Sequence, residues 1–163
     1  MTASEKGRGG RAGYPALRRG RMQGGRKKIL LVEDNHMNKV LVREILTLHG
    51  YDIIEAESGT EALKVLSTER PDVILMDLHL PGMDGVTATR IIKSDERISS
   101  IPVLALTASA MRGEEDKILS KGFDGYVAKP IERKKLLDAI REKIGPDAGH
   151  EPDRQPDPKT ASS

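Results

Sequence analysis

The amino-acid sequence predicts an α/β domain with helices on both faces of a parallel β-sheet. Two observations predict it. Five short apolar runs alternate along the chain with five segments in which apolar residues recur at helical spacing. The first, third and fourth runs are continuously apolar, as strands buried on both faces of a sheet must be. Because such strands are joined by right-handed crossovers, we expect a doubly wound five-stranded sheet in the order 2-1-3-4-5.

The predicted strands are residues 29–32, 53–56, 73–76, 103–106 and 126–128. The first predicted helix has one apolar face, formed by Met37, Val40, Leu41, Ile45 and Leu48, and Gly50 can end it. Ser58 is the expected N-cap of the second helix. The apolar residues that mark the other helices are Ala62, Leu63, Val65 and Leu66; Val86, Ile91 and Ile92; a short segment at 112–120; and Leu136, Leu137, Ile140 and Ile144.

Composition divides the chain of 163 residues into three parts. Residues 28–144 carry the apolar pattern of the predicted domain. Residues 1–27 are rich in Gly and Arg, and residues 145–163 are rich in Pro, so both ends are predicted to be disordered. The net charge is +2, yet residues 1–28 carry nine basic side chains against one acidic side chain. The basic character therefore belongs to an N-terminal arm, and the predicted domain itself is acidic.

The composition also excludes several kinds of site. Cysteine is absent, which excludes disulfides and thiolate metal sites. Tryptophan is absent and Phe123 is the only phenylalanine, so the chain is poor in side chains that stack on nucleic-acid bases. No apolar run approaches the roughly 20 residues of a membrane span. We therefore expect a cytoplasmic protein with no membrane contact.

Polar side chains follow four of the five predicted strands. Glu33 and Asp34 follow the first strand, Asp77 the third, Thr107 the fourth and Lys129 the fifth, whereas the end of the second strand adds nothing obvious. The carboxyl ends of parallel strands meet at one edge of a sheet, so these side chains are expected to share one crevice. Each alone is most often part of a solvated loop, a helix cap or a turn. Their joint occurrence at the strand ends favours a functional site.

The chemistry of this predicted crevice follows from its charges. Neighbouring carboxylates repel one another, and a hard divalent cation such as Mg²⁺ relieves that repulsion. Mg²⁺ and the Lys129 ammonium would neutralise a phosphoryl group in transfer, and Thr107 can donate a hydrogen bond to it. Asp77 is central in the crevice and is the predicted nucleophile, since carboxylates form aspartyl phosphates.

Four segments of the chain carry a resemblance to a known family. They are ILLVEDN (29–35), DVILMDLHLPGMDG (72–85), PVLALTA (102–108) and GYVAKP (125–130). Together they closely resemble the receiver domains of bacterial two-component response regulators, over residues 28–144. The resemblance implies the flavodoxin-like receiver fold. The start of the first helix, NHMNKVLVREIL, is most similar to stand-alone cell-cycle regulators and to the receivers of hybrid kinases.

The resemblance implies a role for each residue that matches the family's motifs. It makes Asp77 the phospho-acceptor, Glu33 and Asp34 the acidic pair with Asp34 as the direct metal ligand, His79 the residue whose backbone carbonyl also binds Mg²⁺, Thr107 the switch hydroxyl, Lys129 the family's lysine, and Tyr126 the aromatic that swings inward when Thr107 moves. It also implies a cis peptide bond before Pro130.

By the same resemblance, the protein is a regulator that accepts a phosphoryl group from a sensor histidine kinase or a histidine phosphotransferase. It would not be an enzyme, except that it catalyses its own phosphorylation and dephosphorylation. The residues after the fifth predicted helix are too few to bury a core. We therefore expect the output to be a contact with a downstream protein through the surface of helix 4, strand 5 and helix 5.

Two other classes share parts of this pattern. Haloacid-dehalogenase-type phosphatases also form an aspartyl phosphate on an open α/β sheet, but they place a second Asp two residues after the nucleophile, where this chain has His79. Flavin-binding modules of similar topology need phosphate-binding turns and stacking aromatics, which the sequence lacks.

The basic arm has two interpretations. It could bind nucleic acid or an acidic partner. Alternatively, translation starts at Met22, which would leave the short N-terminus that receivers usually have. We favour the second interpretation, and nucleic acid is not an expected partner of the domain.

Overall fold

The computed structural model describes residues 25–108 and 113–146 and contains a five-stranded parallel sheet. Its strands are β1 (Lys28–Val32), β2 (Asp52–Ala56), β3 (Val73–Asp77), β4 (Val103–Thr107) and β5 (Gly125–Ala128), in the spatial order β2-β1-β3-β4-β5. The predicted fold class and strand order are confirmed. Each predicted strand is one residue too short: β1, β2 and β5 begin one residue earlier than predicted, and β3 and β4 end one residue later, because Asp77 and Thr107 still pair with neighbouring strands.

The helices of the described residues are α1 (His36–Leu48), α2 (Gly59–Leu66), α3 (Gly85–Ser94), α4 (Glu114–Ser120) and α5 (Arg133–Ile144). The start of the fourth predicted helix falls in 109–112, outside the described residues. The basic arm and the Pro-rich tail also lie outside them, apart from 25–27 and 145–146, so their disorder stays a prediction. Among the residues described, none of the helices has the length and apolar character needed to cross a bilayer.

Alternate residues of each strand enter two apolar cores, one on each face of the sheet. The core under α2, α3 and α4 contains Leu30, Val32, Ile74 and Met76, and the core under α1 and α5 contains Ile29, Leu31, Val73 and Leu75. Because β1, β3 and β4 bury side chains on both faces, their sequences are continuously apolar.

The predicted apolar face of α1 is wrong. Of its five residues only Ile45 is buried, and the helix instead packs Val42 and Leu46 against the sheet. Met37, Leu41 and Leu48 are 74%, 42% and 75% exposed. The helix carries more apolar residues than one face can hold, so its sequence offers two candidate faces and packing against the sheet selects one. The three exposed residues lie on one side of the helix and form an apolar surface, which we call the α1 stripe.

Helices α2 and α3 begin in the same way, with a capping side chain followed by a glycine. Ser58 Oγ accepts a hydrogen bond from Glu61 N–H at 3.1 Å, as predicted, and Asp84 Oδ1 accepts one from Thr87 N–H at 2.8 Å. Gly59 and Gly85, the first helical residues, are both buried. These caps fix where each helix begins, and α3 begins directly after the loop that follows β3.

Candidate functional site

The predicted site residues meet at the carboxyl edge of the sheet. Glu33 follows β1, Asp77 ends β3, Thr107 ends β4 and Lys129 follows β5. Glu33 and Asp77 are 1% and 3% exposed and Thr107 is fully buried, whereas Asp34 is open to solvent. The crevice therefore has a buried floor set by the strands and one exposed carboxylate at its mouth.

Lys129 joins the two buried carboxylates. Its ammonium nitrogen lies 3.1 Å from Asp77 Oδ2 and 3.2 Å from Glu33 Oε1. The peptide bond between Lys129 and Pro130 is cis, as the resemblance implied. Burial lowers the pKa of Lys129, but its hydrogen bond with Asp77 and the negative charges of Asp77 and Glu33 outweigh this effect, so its pKa is raised overall. The side chain is therefore a fixed positive charge within the acidic site.

The carboxyl group of Glu33 is buried with too few partners for a charged carboxylate. Burial, followed by its contact with Asp77, raises the pKa of Glu33 above its ordinary value, although the Asn35 N–H and Lys129 act to lower it. The Asn35 N–H donates to Oε2 at 3.1 Å. Within the described part of the chain, Oε1 accepts no hydrogen bond and has only its ion pair with Lys129. The two buried carboxylates, Glu33 and Asp77, therefore share the single positive charge of Lys129.

Three carboxylates are arranged so that they could share a metal ion. Glu33, Asp34 and Asp77 each offer an oxygen, and these oxygens lie within 4.8 Å of one another. Hard divalent cations such as Mg²⁺ are bound by a few carboxylates together with water or phosphate oxygens. An all-oxygen donor set in which one carboxyl group has a raised pKa and an under-used oxygen fits such a cation.

The loop that follows β3 aligns the carboxylate of Asp77. His79 N–H donates to Asp77 Oδ1 at 3.0 Å, so His79 and Lys129 hold one carboxylate oxygen each. The His79 side chain itself is exposed. Metal binding by its backbone carbonyl stays a prediction.

Tyr126 lies half-buried on β5 and packs against the core under α2, α3 and α4. Burial raises the pKa of the Tyr126 hydroxyl, and the nearby Glu115 carboxylate of α4 raises it further. Tyr126 therefore links β5, which pairs with the strand that ends at Thr107, to the surface of α4.

Two features at the rim of the site were not predicted. Asn35 caps α1 by accepting a hydrogen bond from Asn38 N–H at 2.9 Å, while its own N–H binds Glu33. Lys39 on α1 forms an ion pair with Glu57, which follows β2. An Asn directly before a helix is a readable cap signal. The Lys39 pair has no local signal, because it depends on how α1 packs beside β2.

The geometry and the sequence motifs agree with one family model. The model of the response regulator receiver domain matches residues 29–141. The chain belongs to the response regulator receiver domain family. Members of this family act in two-component signalling and are generally not classical enzymes.

Several named relatives match this receiver domain over most of their own length. The polar-differentiation response regulator DivK of Brucella ovis is 40% identical over 119 residues, which cover 73% of this chain and 97% of that protein. The receiver domain of the Pseudomonas aeruginosa sensor histidine kinase PA1611, crystallised with magnesium in its active-site cleft, is 38% identical with a TM-score of 0.68, covering 74% of this chain and 98% of that chain. Vibrio cholerae chemotaxis response regulator CheY4 is 26% identical with a TM-score of 0.69, covering 73% and 99%.

Proposed function

We propose that this receiver domain accepts a phosphoryl group on Asp77 from the phosphohistidine of a sensor histidine kinase or a histidine phosphotransferase. The observation that carries the proposal is the alignment of the Asp77 carboxylate. The Lys129 ammonium holds Oδ2 and the His79 N–H holds Oδ1, at the edge of the sheet that also carries Glu33 and Asp34. Glu33 is also contacted on both oxygens, but among the described residues its Oε1 has only the ion pair with Lys129, whereas both oxygens of Asp77 accept hydrogen bonds.

The proposed transfer forms one bond and breaks one. An Asp77 carboxylate oxygen attacks phosphorus, the P–N bond of the phosphohistidine breaks, and the departing imidazole takes a proton. Lys129 places its positive charge beside the oxygens on which negative charge is concentrated. Asp34, Asp77 and the His79 carbonyl, with Glu33 beside them, would hold Mg²⁺, which would supply further charge neutralisation.

The donor must approach from the open side of the crevice. Asp34 is exposed there, and Met37, one turn along the chain, is 74% exposed. An apolar side chain this exposed beside a reactive crevice suits contact with the protein that carries the phosphohistidine. We therefore place the first part of the α1 stripe in the donor interface of the proposed complex.

The proposed output is a protein contact made by α4, β5 and α5. Thr107 ends β4 at the site, and Tyr126 on the adjacent β5 reaches α4 through Glu115. A phosphoryl group bound by Thr107 and Lys129 would favour one of two positions of the carboxyl ends of β4 and β5, and thereby one position of Tyr126. The domain then signals in the cytoplasm to a downstream protein, without further catalysis of its own.

The test of the acceptor is labelling by a small phosphodonor such as acetyl phosphate, with Mg²⁺ present. We expect the wild-type protein to be labelled and Asp77→Asn to remain unlabelled. Asp138→Asn is the matched control, since Asp138 is an exposed acid on α5 that pairs only with Lys134 among the contacts described here. Full labelling of Asp77→Asn would show that the acceptor lies elsewhere.

The test of the output uses beryllofluoride, a mimic of the phosphoryl group. Thr107→Ala should still be labelled on Asp77, but its amide NMR shifts on adding the mimic should be much smaller across residues 113–130. A hydrogen bond to a charged group contributes about 1.5–3 kcal/mol, enough to change the ratio of two states about tenfold or more. Shifts of wild-type size in Thr107→Ala would exclude Thr107 as the coupling group.

A further inference from the structure

The sequence provides no reason why α2 and α3 both begin with a buried glycine. Neither Gly59 nor Gly85 has a positive φ angle, in contrast to Gly82 and Gly113, so backbone conformation does not require glycine there. Glycine is also the poorest helix former apart from proline. The reason must therefore be the space that a side chain would occupy.

Gly85 lies directly against the backbone of Asp77. A Cβ atom built on Gly85 would be 2.2 Å from the carbonyl oxygen of Asp77, 3.0 Å from its carbonyl carbon and 3.0 Å from Met76 Cγ. Real Cβ atoms essentially never come within 3.0 Å of a non-bonded heavy atom elsewhere in the chain, and a backbone carbonyl cannot rotate away as a side chain can. Any side chain at position 85 must displace either α3 or the peptide bond between Asp77 and Leu78.

That peptide bond is central to the site geometry. On one side it carries the Asp77 carboxylate, and on the other it leads to His79, whose N–H donates to Asp77 Oδ1 at 3.0 Å. Leu78 N–H donates to Leu106 O of β4 at 3.2 Å, and Gly85 N–H donates to Leu78 O at 3.3 Å. The start of α3 therefore presses on the short segment that connects the acceptor carboxylate with its aligning N–H.

We propose that Gly85 is a positioning residue for the acceptor: its missing side chain lets α3 seat against the Asp77 carbonyl, and this seat fixes the direction of the Asp77 carboxylate. The inference rests on the proposed function, because it assigns Gly85 a role in the reaction of Asp77. Gly85 touches no reacting atom and acts only through the Asp77 backbone.

Gly59 provides a matched control. It is also buried, also the first residue of a helix and also next to a backbone carbonyl, but its Cβ would meet Met83 O at 2.9 Å, Ala88 Cβ at 3.1 Å and Met83 Cγ at 3.2 Å. These atoms belong to Met83 in the β3–α3 loop and to Ala88 on α3, not to the Asp77 backbone, and the closest approach is 2.9 Å rather than 2.2 Å. An alanine at either position gains the same helix propensity, so the two variants differ mainly in what they displace.

The experiment compares Gly85→Ala with Gly59→Ala. In metal-free protein we expect the His79 amide resonance to shift and its hydrogen exchange to accelerate in Gly85→Ala only. In Mg²⁺ with saturating acetyl phosphate, Gly85→Ala should be phosphorylated at least about tenfold more slowly, since small misplacements of reacting groups have effects of this order or larger. The phosphorylation rate of Gly59→Ala should stay within about threefold of the wild-type rate, even if its melting temperature falls as much as that of Gly85→Ala.

A second pair of variants decides the question if Gly85→Ala does not fold. Asp84→Ala removes the cap of α3 without adding an atom, and Ser58→Ala does the same for α2. Loosening the seat of α3 should change the His79 amide and slow phosphorylation, whereas loosening α2 should change neither.

Three outcomes separate the possibilities. An unchanged His79 amide and rate in Gly85→Ala, or in Asp84→Ala if the first variant is unfolded, would overturn the role of Gly85. Rate losses in both glycine variants that simply follow their melting temperatures would overturn it as well. A wild-type protein that no donor labels would instead overturn the proposed function, and the His79 amide would still report on the seat of α3.

Discussion

Acidic side chains lie at both edges of the sheet, but they are paired in different ways at the two edges. At the amino edge each acid has dedicated partners: Asp124 Oδ2 accepts from Val103 N–H at 2.8 Å and from Lys93 Nζ at 2.7 Å. Hydrogen bonds from Arg97 lower the pKa of Asp95 to about 2. At the carboxyl edge, one ammonium group, that of Lys129, lies between the buried carboxylates of Glu33 and Asp77, and Asp34 lies beside them. Burial and the contact with Asp77 raise the pKa of Glu33.

The difference separates acids that stabilise the fold through partners within it from acids that we propose bind a ligand. At the amino edge, Lys93 also donates to the carbonyls of Ser99 and Ile101, so one ion pair fastens α3, the α3–β4 loop and the start of β5. At the carboxyl edge, repulsion between the carboxylates lowers the stability of the fold until a bound cation neutralises it. Removing an acid should therefore have opposite consequences at the two edges.

Among the acids at the two edges, the largest effect on metal binding and phosphorylation is expected from Asp34→Asn at the carboxyl edge. This change removes the exposed carboxylate of the cluster, so Mg²⁺ affinity and the rate of phosphorylation should each fall about tenfold or more, equivalent to about 1.4 kcal/mol. The melting temperature of the metal-free protein should stay the same or rise, because repulsion is relieved. Calorimetric Mg²⁺ titration and thermal melts check both parts, and a lower metal-free melting temperature would contradict the comparison.

Asp124→Ala at the amino edge should do the reverse. It removes two hydrogen bonds to the carboxylate, one of them from an ammonium group, so the free energy of unfolding should fall by about 1.5–3 kcal/mol. Phosphorylation at a temperature where the variant is folded should be unchanged. Urea unfolding measures the first effect, with Asp138→Ala as a surface control. A slowed reaction in folded Asp124→Ala would show that the amino edge also shapes the site.

A smaller effect is expected from the pH dependence of Glu33. Its folded pKa is raised, so protonation favours the folded state, and this contribution is lost as pH rises through the folded pKa. Lowering the pH from 7 towards 5 in metal-free buffer should therefore stabilise the wild type relative to Glu33→Gln. Thermal melts of both proteins across this range check the sign. A wild type that loses stability relative to Glu33→Gln would contradict the charge imbalance.

The smallest effect is expected from Asp95, whose pKa of about 2 lies below its ordinary value. A depressed pKa adds stability above the unfolded value of about 3.9 that is lost as the pH falls towards 2. Asp95 is half-buried but its partner Arg97 is exposed, so solvent screens their ion pair. An NMR titration of the Asp95 carboxyl carbon should show the depressed pKa, and Arg97→Gln should return it towards the ordinary range.

The sequence predicted the parts of the molecule that repeat a simple rule. Continuous apolar runs located β1, β3 and β4, and the rule that the ends of parallel strands share an edge predicted that Glu33, Asp77, Thr107 and Lys129 meet in one crevice. The α1 face was mispredicted because its apolar residues allow two orientations, and only the packing of Val42 and Leu46 against the sheet distinguishes them. The role of Gly85 was also invisible, since it depends on a contact with the Asp77 backbone across a loop.

The contact between Lys129 and Asp77 has a consequence for biosynthesis. These residues are 52 positions apart, and the acidic pair comes from the first strand, so the site is complete only after β5 has joined the sheet. Non-local strand pairing of this kind is a late event relative to local helix formation. A chain still emerging from the ribosome, with β1 to β4 made, would hold its acids without their ammonium partner. The proposed transfer to Asp77 would therefore require that β5 has been synthesised and has paired with β4, so this reaction would report on complete folding of the sheet.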